Sequence, residues 1–240
     1  MGAIKVILLI AGMLLFAMTV PAEPIVLATA DTAPFSDEDG TGFYDLLLNE
    51  AFRRLGIPLE IRRFPSERAL HEANTGRVDG EFGRIEQIGE LYENLRLVPE
   101  PLIEWHFSAF LRPGTTHPRS FEDLREYHVG FIRGWKIYEE NVRDTRSLTL
   151  AVAEDQLFHL LEAQRVDVVL YNRLRGLAWI QRNAPVSVEI VPEPLAVRPM
   201  YLFLHYRKEF LIPQISRALQ DIRRDGTYDE LQAEAFGFVP

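Results

Sequence analysis

The chain contains no cysteine in its 240 residues. That excludes disulfides, thiolate metal sites and a lipid-modified cysteine behind a leader. Catalytic signatures are missing as well: there is no glycine-rich phosphate loop and no Gly-x-Ser-x-Gly. The six histidines, at 71, 106, 117, 128, 159 and 205, fall on different stretches without ligand-like spacing, so neither a metal nor a cofactor is expected. Positive charge is in deficit. The 26 Lys and Arg against 35 Asp and Glu give a formal charge of −9, which argues against nucleic acid and anionic membrane as partners.

Long apolar runs are lacking too, except at the amino terminus. There Lys5 precedes the run Val6 to Val20, and Val20-Pro21-Ala22 places small or compact residues where a signal peptidase cuts. The alternative is a retained anchor, for which the run is short of the ~20 apolar residues a span needs. Residues 1–22 are therefore read as a signal peptide cleaved before Glu23, which sends the remainder to the periplasm. At 47% hydrophobic that remainder can bury a core, which argues against disorder.

From Pro24 the chain alternates apolar runs with amphipathic stretches. Pro24–Thr29 reads as a buried strand, Tyr44–Leu55 as a helix, and Leu59–Phe64 as a strand. Ser66 is expected to cap the next helix, with Ala69, Leu70 and Ala73 on its apolar face and a left-handed Gly76 ending it. Val78–Phe82 then runs extended and the chain leaves it at Gly83-Arg84. Strand, helix, strand, helix, strand implies a parallel sheet with right-handed crossovers. A second unit of the same kind follows Pro113-Gly114: strands His128–Ile132, Thr149–Val152 and Val166–Tyr171, with helices Trp135–Val142 and Asp155–Ala163 between them. A helix Leu174–Arg182 and a strand Val186–Val191 come next. Met200–Tyr206 returns the chain as a strand before helices at Pro213–Arg223 and from Thr227. Both units pass from helix to strand through Arg-Val-Asp, at Arg77-Val78-Asp79 and Arg165-Val166-Asp167. We read this as two lobes built alike.

The wording of the chain carries a resemblance. Ala33-Pro-Phe-Ser36, Gly42-Phe43, Arg54-Leu-Gly-Ile57, Gly76-Arg-Val-Asp79, Ser120-Phe-Glu-Asp-Leu124, Val129-Gly130, Arg165-Val-Asp167 and Asp225-Gly-Thr-Tyr-Asp229 occur in this order along the chain. Together they resemble the bacterial extracellular solute-binding proteins of family 3, the polar amino-acid class. The resemblance implies an α/β, type II periplasmic binding protein fold: two lobes, each a mainly parallel sheet flanked by helices, with two hinge crossings. By that pattern lobe one is residues 23–107 plus 201–240 and lobe two is 108–200. It also implies a small-molecule ligand, a membrane permease or receptor as partner, and a monomer. Departures accompany it. Amino-acid binders of the family place an aspartate where this chain has Asn172, and an arginine-ending Thr segment where it has Gly83-Arg84-Ile85-Glu86. A small hydroxyl residue is replaced by Arg133-Gly-Trp135. Standard α-amino acids are therefore expected to bind weakly.

Ligands of open α/β sheets bind outside the carboxyl ends of the strands, which selects the same positions. Arg84 is the first candidate, because a guanidinium suits a carboxylate or phosphate, and the expected ligand is small, polar and anionic. Arg133 and Arg68 are placed to add to it or to stay solvated. Glu81, inside an apolar strand, is read as balancing Arg84 or Arg68 in the cleft, or as facing outward. Trp135 is read as stacking on the ligand or as covering the start of its helix, the glycine beside it favouring the cleft, with Trp105 near a hinge and Trp179 on a lobe-two helix. Asn172, Ser66 and Phe35 complete the candidates, Phe35 being equally a loop anchor. Arg84→Ala is expected to remove binding and leave stability intact. Three functions stay open: a receptor feeding an ABC-type importer, an exported sensor for a membrane receptor, or a dehydratase using Glu81.

Overall fold

The computed structural model describes residues 23–184 and 188–237; the expected signal peptide lies outside them. The first unit is β1 (Ile25–Thr29), α1 (Phe43–Leu55), β2 (Leu59–Arg63), α2 (Ser66–Asn74) and β3 (Gly80–Arg84). After α3 (Ile88–Leu91), β4 (Leu95–Leu97) and the long β5 (Ile103–Leu111), a second unit repeats the pattern. It comprises β6 (His128–Ile132), α4 (Lys136–Asn141), β7 (Ser147–Ala151), α5 (Glu154–Glu162) and β8 (Val168–Asn172). Then come α6 (Arg173–Asn183), β9 (Glu189–Ile190), β10 (Ala196–His205), α7 (Ile212–Arg224) and α8 (Thr227–Phe236). Among the described residues no helix is long and apolar enough to cross a membrane.

The main path of the sheet runs β2-β1-β3-β10-β5-β8-β6-β7. Its two ends are the same construction. In the first unit β1 lies between β2 and β3, all parallel; in the second β6 lies between β7 and β8, all parallel. The antiparallel strands β5 and β10 join them. β10 pairs with β5 as far as Met200 and with β3 and β4 from Tyr201 onward. β5 pairs with β10 up to Phe107 and with β8 from Phe107 onward.

The repeated Arg-Val-Asp has a physical explanation. Asp79 donates its backbone N–H to the Val26 carbonyl (2.7 Å) and accepts the Val26 N–H on Oδ2 (2.9 Å). Asp167 makes the same two bonds with His128, at 2.7 and 2.9 Å. Each aspartate thus clamps the start of the neighbouring parallel strand, and the valine before it is buried. The clamp also moves β3. Residues 78 and 79 belong to the turn, so the strand begins at Gly80 and contains Gly83 and Arg84, two residues later than the periodicity suggests.

Helices cover the sheet through apolar faces. α1 buries Phe43, Tyr44, Leu47, Leu48, Ala51 and Phe52, and Gly76 ends the α2 region at φ +71 as expected. In the second unit α6 lies so close to β5 that a Cβ on Gly176 would sit 2.0 Å from Phe110 Cζ. Phe110 is itself fully buried against the edge of Phe158. Gly176→Ala is therefore expected to cost about 1–3 kcal/mol by overpacking. Adding Phe110→Leu should restore part of that in urea melts, and equal stability of wild type and Gly176→Ala would show that the helix can shift.

Candidate functional site

The carboxyl ends of β1 and β3 face the amino ends of α4 and α6. A cavity of about 30 Å³ lies between them, room for roughly two waters. Ile85, Trp105, Phe107, Trp135, Ile137 and Met200 form its apolar wall, and Asp31, Arg84 and Lys136 its charged side.

Arg84 is 8% exposed, at the end of β3. Its Nε donates to Glu81 Oε1 at 2.6 Å and its Nη2 reaches the same oxygen. Nη1 donates to Ser66 Oγ at 2.8 Å and Nη2 to the Ser66 carbonyl at 2.9 Å. Glu81 is wholly buried, and its Oε2 has no partner among the described residues. Burial pushes the Glu81 carboxyl up to about 7 against the pull of Arg84, and the charges of Asp31 and Glu67 add to the rise. Ser66 then carries the network across the cleft, its hydroxyl donating to the Gly134 carbonyl at 3.2 Å. Gly134 has φ +86, and a Cβ there would lie 2.9 Å from Ser66 Oγ, so only glycine permits this approach. Beside it Lys136 Nζ bridges Glu67 (2.7 Å) and Glu139 (2.8 Å).

A second pair crosses the cleft. Arg175 Nη1 donates to Asp31 Oδ1 at 3.2 Å and Nη2 to Thr32 Oγ1 at 2.7 Å, with Glu154 Oε2 at 3.7 Å. The guanidinium lies 4.9 Å from the Tyr171 ring centre and 5.5 Å from that of Trp135, where ring quadrupoles favour a cation. Asp31 Oδ2 and Arg175 Nε lack partners among the described residues. Burial raises the Asp31 carboxyl to about 6, with Arg175 and Arg84 pulling it down.

The structure brings Arg84, Glu81, Ser66 and Trp135 together and leaves the other candidates apart. Ser66 does not cap α2 with its side chain; Pro65 is the cap residue and the hydroxyl serves Arg84 and Gly134. Asn172 caps α6 instead, its Oδ1 accepting the Arg175 N–H at 3.0 Å. Phe35 is fully buried among Tyr44, Trp105 and Phe236, a loop anchor. Arg68 is exposed, 3.6 Å from Glu72 and over the Phe64 ring. Arg133 is exposed, and its backbone N–H continues the sheet to Ala151. Trp105 is not remote from Trp135: their ring centres are 5.4 Å apart and both wall the cavity. Trp179 lies elsewhere, stacked on Phe158. The burial of the Arg84–Glu81 pair also overturns the expectation that removing Arg84 leaves stability intact, because it strands a buried carboxylate.

Asp31, Lys136 and Arg175 join the site without being among the candidates that the strand-end rule names. For Arg175 a signal existed. The first turn of α6 carries Arg173 and Arg175 and no acid, against the helix dipole, so a cation there needs a partner from another element.

Known proteins share this architecture. A histidine kinase sensor domain with similarity to periplasmic binding proteins superposes with a TM-score of 0.75 at 20% identity, covering 90% of this chain and 97% of its own. The substrate binding protein of an amino acid ABC transporter gives 0.74 at 18%, covering 89% and 99%. An uncharacterized protein of Shewanella oneidensis is 25% identical over 199 residues, 80% of this chain and 75% of its own. At these identities the structures speak for the fold, a type II periplasmic binding protein fold. The family model for bacterial extracellular solute-binding proteins, family 3, matches residues 25–238, and the chain belongs to that family.

Proposed function

We propose that this chain is a periplasmic receptor, monomeric and without enzymatic activity. It closes two lobes around a small ligand with an anionic group and an apolar body, and delivers it to an ABC-type importer. The observation that carries the reading is Arg84 at the edge of a cavity between two like units, beside Trp105 and Trp135. We take lobe one as residues 23–107 plus 201–240 and lobe two as 108–200. The strand partners of β5 and β10 change at those borders, at Phe107 and between Met200 and Tyr201. Family membership supports the receptor role. The likeness to a histidine kinase sensor domain favours a second reading, in which the closed lobes signal to a membrane receptor. A dehydratase reading has less support, since Glu81 is tied to Arg84 and absent from the cavity wall.

Ligand access requires the lobes to part, breaking Ser66–Gly134, Glu67–Lys136 and Asp31–Arg175. Small-angle scattering should give a smaller radius of gyration with bound ligand than without, and equal radii at saturation would count against a closing receptor. Standard α-amino acids are expected to shift the melting temperature little. Asn172 supplies no carboxylate, and Asp31, on the cavity wall, pairs with Arg175 when the lobes are closed. Submicromolar binding of any of them would overturn this ligand class.

The arginine is tested by a pair of variants. Arg84→Ala should abolish ligand binding and lose about 3–5 kcal/mol of stability at pH 8 by stranding Glu81. Glu81→Gln/Arg84→Gln, which removes both charges, should recover most of that stability and still fail to bind. Binding by the double variant would make Arg84 a structural residue only.

A further inference from the structure

We propose that Glu81 is a tethered counter-anion occupying the ligand's place on Arg84, so that an anionic ligand binds by displacing it and Glu81 takes up a proton as it lets go. The inference rests on Arg84 as the anion contact and adds how that contact is made available. All three guanidinium nitrogens of Arg84 are engaged: Nε and Nη2 on Glu81, Nη1 and Nη2 on Ser66. These bonds use four of its five N–H groups and leave one on Nη1, so an anion held by two N–H groups must replace one of the two partners. Ser66 is the first residue of α2 and offers a backbone carbonyl fixed by the helix. Glu81 offers only a side chain, bonded among the described residues to nothing but Arg84. Glu81 is the displaceable partner.

Its surroundings decide what happens next. The sheet neighbours of Glu81, Ala28 on β1 and Phe203 on β10, carry no charge. Asp31 from the loop after β1 and Glu67 from α2 are both acidic and raise the Glu81 carboxyl, as burial does. Tyr92, after α3, is held neutral by burial. Lys136, the first residue of α4, is bonded to Glu67 and Glu139. Once Arg84 turns to the ligand, a charged Glu81 would face two acids and a third anion with no cation of its own, in a fully buried position. Protonation removes that cost. The balance is simple: the ligand anion pairs with Arg84, and Glu81 carboxylate plus one solvent proton becomes the carboxylic acid.

The sign of the pH effect follows. Paired with Arg84 as in this structure, the Glu81 carboxyl is raised to about 7. Below that, binding needs no further proton and affinity is flat; above it, each ligand brings one in and affinity falls by up to about tenfold per pH unit. Asp31, raised only to about 6 and keeping Arg175, adds nothing above pH 7.

The probe is phenylacetate, a carboxylate on an aromatic body whose charge is constant above pH 6, titrated by tryptophan fluorescence into the mature protein from pH 6 to 8.5. Wild type should bind with constant Kd to pH 7 and weaken about tenfold per unit beyond it. Glu81→Gln should bind at least about tenfold more tightly than wild type at pH 8 and show no slope. Calorimetry at pH 8 in two buffers of different ionisation enthalpy should find close to one proton taken up per phenylacetate by wild type. That measurement decides alone if the variant fails to fold. Binding with a pH-independent Kd and no buffer dependence overturns the proposal and leaves Arg84 as the anion contact. A slope retained in Glu81→Gln overturns it too, placing the proton elsewhere. No binding to either protein at any pH removes the Arg84 reading itself, and this inference with it.

Discussion

Charge burial between two like α/β units is the constraint on which the rest of the structure depends. Each unit aims the carboxyl ends of its parallel strands at the other, so the loops of both converge in one narrow space. Asp31, Glu81, Arg84 and Arg175 are all under a tenth exposed there. A buried ion left unpaired costs several kcal/mol, so the units can approach only if these four groups satisfy one another. They do so as two arginine–carboxylate pairs, one within lobe one and one across the cleft. Arginine suits this role because its planar fork serves several acceptors and stays charged when desolvated. The pairing is incomplete: one oxygen of each carboxylate is unmatched among the described residues, consistent with both carboxyls standing above their ordinary range.

What sets the geometry of that space lies at the opposite ends of the same strands. Asp79 and Asp167 each fix a strand start against the neighbouring unit strand. Arg84 and Asn172 then fall at the same offset along β3 and β8 from their aspartates. They occupy equivalent places in the two lobes, yet one carries the charge and the other caps the helix that presents Arg175. The cleft is thus asymmetric although the units are alike. The lobe-one cation comes from the strand end itself, and the lobe-two cation from the first turn of the following helix.

Local grammar was legible. Alternating strands and helices and the repeated Arg-Val-Asp led to two like α/β units, the family resemblance to the two-lobed fold, the strand-end rule to Arg84 and Trp135, and a charge inside an apolar strand to Glu81. The contacts that escaped are those fixed by how distant segments meet. Asp31 and Arg175, or Phe35 and Phe236, are separated by most of the chain, and no local pattern announces their contact. Ser66 has the residue type and position of a helix cap, and a buried guanidinium claims it instead. Trp105 looked remote because β5 is a crossing strand. Such a strand carries its side chains past the cavity on the way to the other lobe, which brings Trp105 against Trp135. Tertiary demand outranks local preference at the functional site.

A cleft that neutralises itself changes what affinity means. In the proposed exchange, the ligand must outdo a carboxylate already tethered at high effective concentration beside Arg84. A small hydrated anion brings little beyond its charge, so it gains no advantage over Glu81. An anion with an apolar body also removes water from the wall formed by Trp105, Trp135 and Ile137. That contributes about 25 cal/mol for each Å² of apolar surface covered, a gain Glu81 cannot match because its short side chain remains within β3. The internal pair therefore filters by shape through charge. It sets a threshold that electrostatics alone does not cross, and leaves the apolar surface of the ligand to decide which anions are held.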